Sequence, residues 1–208
     1  KVGLYYSLLD WHHPDYTIDV MHPLRPANEA DYDRLNAGKD MNRYRQYMKD
    51  QVRELLTNYG EISIMWFDFS FPGKHGKGGD DWDSIGLLKL ARSLQPNIIV
   101  DDRLDLQDVE GGWDFTTPEQ VVVTKWPEYK GKKIPWETCQ TFSGSWGYYR
   151  DEYTWKSPAQ LIELLINSVS KGGNLLLNVG PTGRGTFDQR AQERLKAMGD
   201  WMAVNSRS

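Results

Sequence analysis

The chain has 208 residues, a formal charge of −4, 26% charged residues and 39% apolar ones, the make-up of a soluble globular domain that can bury a sizeable core. No basic run interleaves with aromatics, which argues against a nucleic-acid partner, and no apolar stretch is long enough to span a bilayer. One cysteine, Cys139, excludes an internal disulfide. Residues of a core strand follow Lys1 at once, with no signal peptide and no starting Met, so the expectation is a processed, trimmed or partial chain. Nine Trp and 11 Tyr fit either a Trp-rich core or flat surfaces for sugar rings.

Residues 2–7 (VGLYYS) read as a buried strand, and a long polar, Pro-containing loop follows over 10–39. The next segment, 40–59, is predicted helical. Asp40 caps it, Gly60 ends it, and Tyr44, Tyr47, Met48, Leu55, Leu56 and Tyr59 share one face. Residues 62–69 (ISIMWFDF) form a buried strand, then a Gly-rich loop over 71–81 leads to a helix at 83–94. A strand at 97–100 (NIIV) ends in Asp101-Asp102-Arg103. Residues 104–133 are loop-rich, and 134–142 read as a strand. Ser157-Pro158 is an N-cap followed by Pro at the first helical position, opening a helix over 159–170 that stops before Gly172-Gly173. A buried strand at 174–179 (NLLLNV) and a helix starting near Asp188 complete the chain.

Continuous apolar strands alternating with amphipathic helices indicate α/β architecture with a parallel sheet. About five strands and four helices are too few for a (β/α)₈ barrel, which needs eight of each, so a barrel here would lack its first three strands or so. A doubly wound sheet is the alternative, but no G-x-G-x-x-G opens a helix after a strand.

In parallel α/β folds the functional groups gather at the carboxyl ends of the strands. Asp68 ends the apolar run ISIMWF, where a carboxylate is either used, paired, or employed to cap the following loop. Glu119 lies on the loop between the third and fourth strands beside aromatics that would raise a carboxyl pKa; the plain alternative is a solvated surface Glu. Arg103 either pairs with its two neighbouring Asp residues or offers bidentate donors to sugar hydroxyls. His12-His13 with Asp10 and Asp15 lack a third ligand spacing for a metal. Asp80, Asp81 and Asp83 do not match a calcium loop and are expected to cap the next helix. Neither a P-loop nor a G-x-S-x-G serine elbow is present.

The sequence resembles the α-L-fucosidases of glycoside hydrolase family 29. The matching segments are GLYYSLLDWHHPDY (3–16), YMKDQVRELLTNYGEISIMWFD (47–68), IIVDDR (98–103), WDFTTPEQ (113–120), PWETCQTFSGSWGYY (135–149) and LLINSVSKGGNLLLNVGPTGRG (164–185). They occur in family order over nearly the whole chain, and together they are specific. The resemblance implies a single partial catalytic domain over 1–208, the last five strands or so of a (β/α)₈-like TIM barrel. The family's N-terminal barrel strands, with their sugar-binding histidines, and its C-terminal β-sandwich have no counterpart here. It implies Asp68 as nucleophile and, through the Asp-Phe-x-Thr-x-Glu pattern, Glu119 as acid/base, with Glu110 as fallback. Sugar contacts carry over onto Tyr5, Trp66, Arg103 and Trp146. His12, His13 and Glu137 lie in matching motifs without an assigned contact.

The implied chemistry is a retaining, two-step release of terminal α-L-fucose from fucosylated glycans through a covalent fucosyl-Asp68, with no metal or organic cofactor. A secreted, periplasmic or lysosomal setting is a family expectation. Alternatives are an incompetent or assembly-dependent sugar-binding fragment and a retaining hydrolase for another sugar. A half-barrel also exposes two sheet edges, so self-association or pairing with a missing half is expected.

Overall fold

The computed structural model describes residues 1–207, which divide into two compact units, 1–115 and 116–207. In the first unit β1 (Gly3–Ser7), α1 (Asp31–Asn36), α2 (Met41–Asn58), β2 (Ile64–Asp68), α3 (Gly79–Trp82), α4 (Ser84–Leu94) and β3 (Ile99–Val100) follow in order. The three strands make a parallel sheet in the order β1-β2-β3. Helices α2 and α4 are amphipathic and cover it, burying Met48, Val52, Leu56, Leu87 and Ala91 against Met65, Phe67 and Val100. Alternation along β2 sends Met65 and Phe67 into this helix layer and leaves Trp66 and Asp68 on the opposite face. On β1 the same parity turns Tyr6 toward α2, where its hydroxyl donates to Gln51 Oε1 at 2.7 Å, and turns Tyr5 the other way.

The ends of the helices follow their sequence. Asp40 accepts from Asn42 N at 2.8 Å at the start of α2. Asp83, in a left-handed conformation, accepts from Gly86 N and caps α4. Asp81 accepts from Gly78 N at 2.9 Å. Asp81 and Asp83 thus serve helix starts, and Asp83 also pairs with Lys49. The segment expected as a continuous loop over 10–39 contains α1 near its end, a six-residue helix too short to show a helical period. It is pinned to the loop after β2 by Lys77, whose ammonium meets Asp19 Oδ2 at 2.5 Å.

The second unit holds β4 (Glu128–Tyr129), β5 (Lys132–Lys133), β6 (Glu137–Thr141), α5 (Pro158–Ser170), β7 (Asn174–Asn178) and α6 (Gln189–Asn205). Strands β6 and β7 pair in parallel across α5, a βαβ crossover. Ser157 and Gln160 form a reciprocal capping box with Pro158 at the first helical position. Gly172, at a φ of 67°, ends α5, and Gly173 follows for a steric reason: a Cβ there would lie 2.1 Å from the buried Trp136 indole, which donates to Lys171 O at 2.9 Å. The β4–β5 hairpin falls within the stretch read as loop. It turns through Lys130 and Gly131, both at positive φ. Among the described residues no helix is long and apolar enough to cross a membrane.

Candidate active site

Asp68 is the last residue of β2. The in-step register with β1 sets Tyr5 beside Trp66 and Ser7 beside Asp68. Three donors bracket the Asp68 carboxylate. Oδ1 accepts from Phe69 N at 2.9 Å and pairs with Arg103 Nη1 at 3.0 Å, and Oδ2 accepts from Tyr5 O–H at 2.7 Å. A carboxylate offers about four lone-pair directions, so these contacts fix its plane and leave a lone pair on Oδ2 for an electrophile. The side chain keeps 17% of its surface exposed, enough for a reacting carbon to approach.

The aromatic wall is organised around the same acid. Arg103 lies over the Trp66 ring at 4.4 Å, and Tyr5 stacks on Trp66 with centroids 5.7 Å apart and planes 27° apart. Trp66 is only 7% exposed, so it backs Arg103 and Tyr5 rather than presenting an open face; Tyr5 is 57% exposed. Four of the expected residues, Tyr5, Trp66, Asp68 and Arg103, therefore form one cluster. Arg103, expected either to pair with its neighbours or to meet sugar, is also a direct partner of Asp68.

In the second unit residues 116–120 run parallel to β6. Glu119 bridges Cys139, Cys139 N donates to Pro118 O at 3.1 Å, and Gln120 N donates to Cys139 O at 3.0 Å. Glu119 is thus held on a strand-like segment rather than a free loop, with its side chain exposed. Phe69 and Gln120, the residues directly after Asp68 and Glu119, both have positive φ, 79° and 52°. Such strain in non-glycine residues persists only where surrounding structure enforces it, and it concentrates at functional sites. Glu110 lies exposed in a turn of the first unit.

Trp146 is 43% exposed on the loop after β6. Its carbonyl accepts from Asn178 Nδ2 at 2.6 Å. Glu152 braces the same loop by accepting from Ser145 O–H at 2.9 Å and Thr154 N at 2.8 Å. The Thr154 hydroxyl and amide, then Ser145 and Ser143, hold the Glu152 carboxyl down to about 2. His13 packs on Tyr47, 4.5 Å between centroids, and its Nδ1 accepts from Asp15 N. The pair His12-His13 thus includes one member that organises the loop after β1. Glu137 is partly buried on β6.

The family model described as Alpha-L-fucosidase matches residues 1–207. The chain belongs to the α-L-fucosidase family. A tissue alpha-L-fucosidase of Mus musculus is 30% identical over 99% of this chain and 42% of its own length, and an alpha-L-fucosidase of Dictyostelium discoideum is 28% identical over 100% and 41%. Among solved structures, alpha-L-fucosidase isoenzyme 1 from Paenibacillus thiaminolyticus superposes with a TM-score of 0.90 at 41% identity, over 100% of this chain and 50% of that one. The alpha-L-fucosidase AlfC from Lactobacillus casei, in complex with α-L-fucose product, gives 0.74 at 26% identity over 99% and 61%. The chain therefore spans about two fifths of these curated relatives and half or somewhat more of the solved chains.

Beside this α-L-fucosidase-family cluster stands a residue that the sequence places at a strand end without a role. Asp101 is 0% exposed, and burial, with the carboxylates of Asp102 and Asp68 nearby, pushes its carboxyl up to about 8. The sequence signal was an acid directly after the apolar run NIIV; its depth is set by packing.

Proposed function

We propose that this chain carries the nucleophile of a retaining exo-α-L-fucosidase, within the last strands of an incomplete (β/α)₈-like barrel domain. Asp68 attacks the anomeric carbon of a terminal α-L-fucosyl unit while Glu119 protonates the leaving oxygen. The fucosyl-Asp68 ester is then hydrolysed by water that Glu119 deprotonates, with net retention. Tyr5 and Arg103 hold the Asp68 carboxylate in the plane of attack and meet sugar hydroxyls, Tyr5 through its phenol oxygen as an acceptor. Trp66 supports both from behind, and Trp146 offers an exposed face to the sugar. The substrate is a fucosylated oligosaccharide or glycoconjugate. No step calls on a metal or an organic cofactor.

The observation that carries this reading is the Asp68 carboxylate, fixed by three donors at the carboxyl end of a parallel strand with a lone pair left open. The test is chromophore release from an aryl α-L-fucoside by the chain and by its Asp68→Ala and Glu119→Ala variants. Loss of turnover in Asp68→Ala, restored by azide as the β-fucosyl azide, is the expected result. Azide rescue that yields only the α-azide would reject Asp68 as nucleophile. Comparison with aryl galactosides separates fucose from galacto-configured sugars.

A second reading has its own support: Tyr5 and Trp146, 57% and 43% exposed, offer aromatic faces to a sugar whether or not turnover follows. Here it binds sugar weakly and turns over only when paired with another copy or with a complementary chain. Turnover that rises faster than linearly with protein concentration favours this reading, and linear dependence rejects it.

A further inference from the structure

Asp101 lies behind the proposed nucleophile and takes no part in the steps above. It follows β3, bridges Phe115 in parallel, and is wholly buried. Its Oδ1 accepts the backbone N–H of Phe67 at 3.0 Å, and its Oδ2 is buried with no hydrogen-bond partner among the described residues. The β2–β3 pairing ends at Met65↔Val100, so the Phe67 N–H falls beyond the last pair of the ladder. A buried amide must find an acceptor. The Asp101 side chain supplies the one that a further backbone carbonyl would have given. Phe67 directly precedes Asp68, so this bond holds β2 on its β3 side one residue before Asp68, which is itself paired with Ser7 of β1.

We propose that Asp101 is a positioning residue for Asp68, working as a neutral carboxylic acid that holds the Phe67 amide. The proposal rests on the reading of Asp68 as nucleophile. The charged groups that face Asp101 are Asp68 from β2 and Asp102 and Arg103 from its own segment. Burial is the largest influence, and the two carboxylates add to it in favouring the protonated form. The Phe67 amide and the Arg103 guanidinium oppose them. An ionised Asp101 would compete for Arg103, which now pairs with Asp68 at 3.0 Å. Asp68 would then lose a donor and gain a repelling charge on the neighbouring strand.

Asp101→Asn keeps the shape, the neutrality and the carbonyl acceptor, whereas Asp101→Leu keeps bulk without an acceptor. The first readout needs no turnover: the Phe67 amide resonance and its hydrogen exchange, followed across neutral and alkaline pH. In the parent chain the resonance titrates with a midpoint near 8. In Asp101→Asn it is flat and the amide stays protected, and in Asp101→Leu protection falls by about tenfold or more. The same titration in Asp101→Asn, or full protection in Asp101→Leu, overturns the proposal. The second readout is the pH profile of kcat on an aryl α-L-fucoside. The parent loses rate on an alkaline limb that Asp101→Asn moves upward. Asp101→Leu lowers kcat by about tenfold or more with KM little changed, as expected for a misplaced reacting group. An alkaline limb shared by parent and Asp101→Asn counts against the neutral-acid role. If no form turns over while the amide titrates as described, it is the nucleophile reading that fails, and the hold of Asp101 on Phe67 stands.

Discussion

Lys77 and Asp19 are 4% and 1% exposed, an ion pair buried between the loop after β1 and the loop after β2. Lys77 Nζ also donates to Thr17 O at 2.7 Å and sits 4.1 Å from the Tyr16 ring centroid. Burial pulls the Lys77 pKa down, and Asp19 opposes the pull. Replacing Lys77 with Met leaves the Asp19 carboxylate without its counter-charge. Removal of one partner from a buried pair costs about 3–5 kcal/mol. Asp19 would keep three donors, Tyr16 O–H and the Met21 and His22 amides, the amides at 2.9 Å each, which places Lys77→Met at the lower end, about 3 kcal/mol. The double variant Asp19→Asn/Lys77→Met carries no orphaned charge and is expected to lose less than the single one. The assay is urea unfolding of parent, both single variants and the double variant, followed by circular dichroism, with the coupling energy taken from the cycle. A Lys77→Met loss under about 1 kcal/mol, or a double variant as unstable as the sum of the singles, would refute the view that this pair ties the two loops together.

Tyr5→Phe removes the hydroxyl from Asp68 Oδ2 and keeps the stacking on Trp66. A hydrogen bond to a charged group contributes about 1.5–3 kcal/mol, and water reaches this exposed position, so kcat/KM on an aryl α-L-fucoside should fall about tenfold with the fold unchanged by circular dichroism. Gly173→Ala drives a methyl into the Trp136 ring at 2.1 Å and should lower the stability read by urea unfolding by about 1–3 kcal/mol, whereas Gly199→Ala, on the open surface of α6, should not destabilise. Asp101 has a folded pKa raised above its unfolded value near 3.9, so its stabilising contribution is complete below about pH 4 and is lost as pH rises toward about 8. Within that window the parent should lose about 1.4 kcal/mol per pH unit relative to Asp101→Asn, measured by urea unfolding at several pH values; parallel curves would show that Asp101 is ionised in the folded chain.

The sequence made most of the long elements legible, because each carried a signal of its own. The continuous apolar run ISIMWF marked β2, the Asp40 cap and Gly60 bracketed α2, and Ser157-Pro158 opened α5. Missed or blurred elements were those with too few residues to show a period: α1 with six, α3 with four, and two-residue β4 and β5 turning through Lys130-Gly131. The site divides the same way. Asp68 was legible as an acid ending an apolar strand, but its partners were not. Tyr5 lies 63 positions away in sequence and Arg103 35, and only the parallel register brings them to the same carboxylate. Glu119 carried no local signal beyond its motif. The bridge to Cys139 that holds it is again a pairing between distant segments.

Two aspartates on adjacent strands show how environment divides one residue type into two tasks. Asp68 ends its strand partly exposed, with three donors, one of them a guanidinium. Asp101 is sealed in the core with a single backbone amide and an oxygen without a hydrogen-bond partner among the described residues. Desolvation penalises the charged form where donors are few, and donors favour it where they are many. The Asp68 charge itself adds to the cost of ionising Asp101. A proton on Asp101 would keep a second negative charge away from Asp68, and the contrast in donors on neighbouring strands is what the proposed division of tasks, attack by Asp68 and holding by Asp101, rests on.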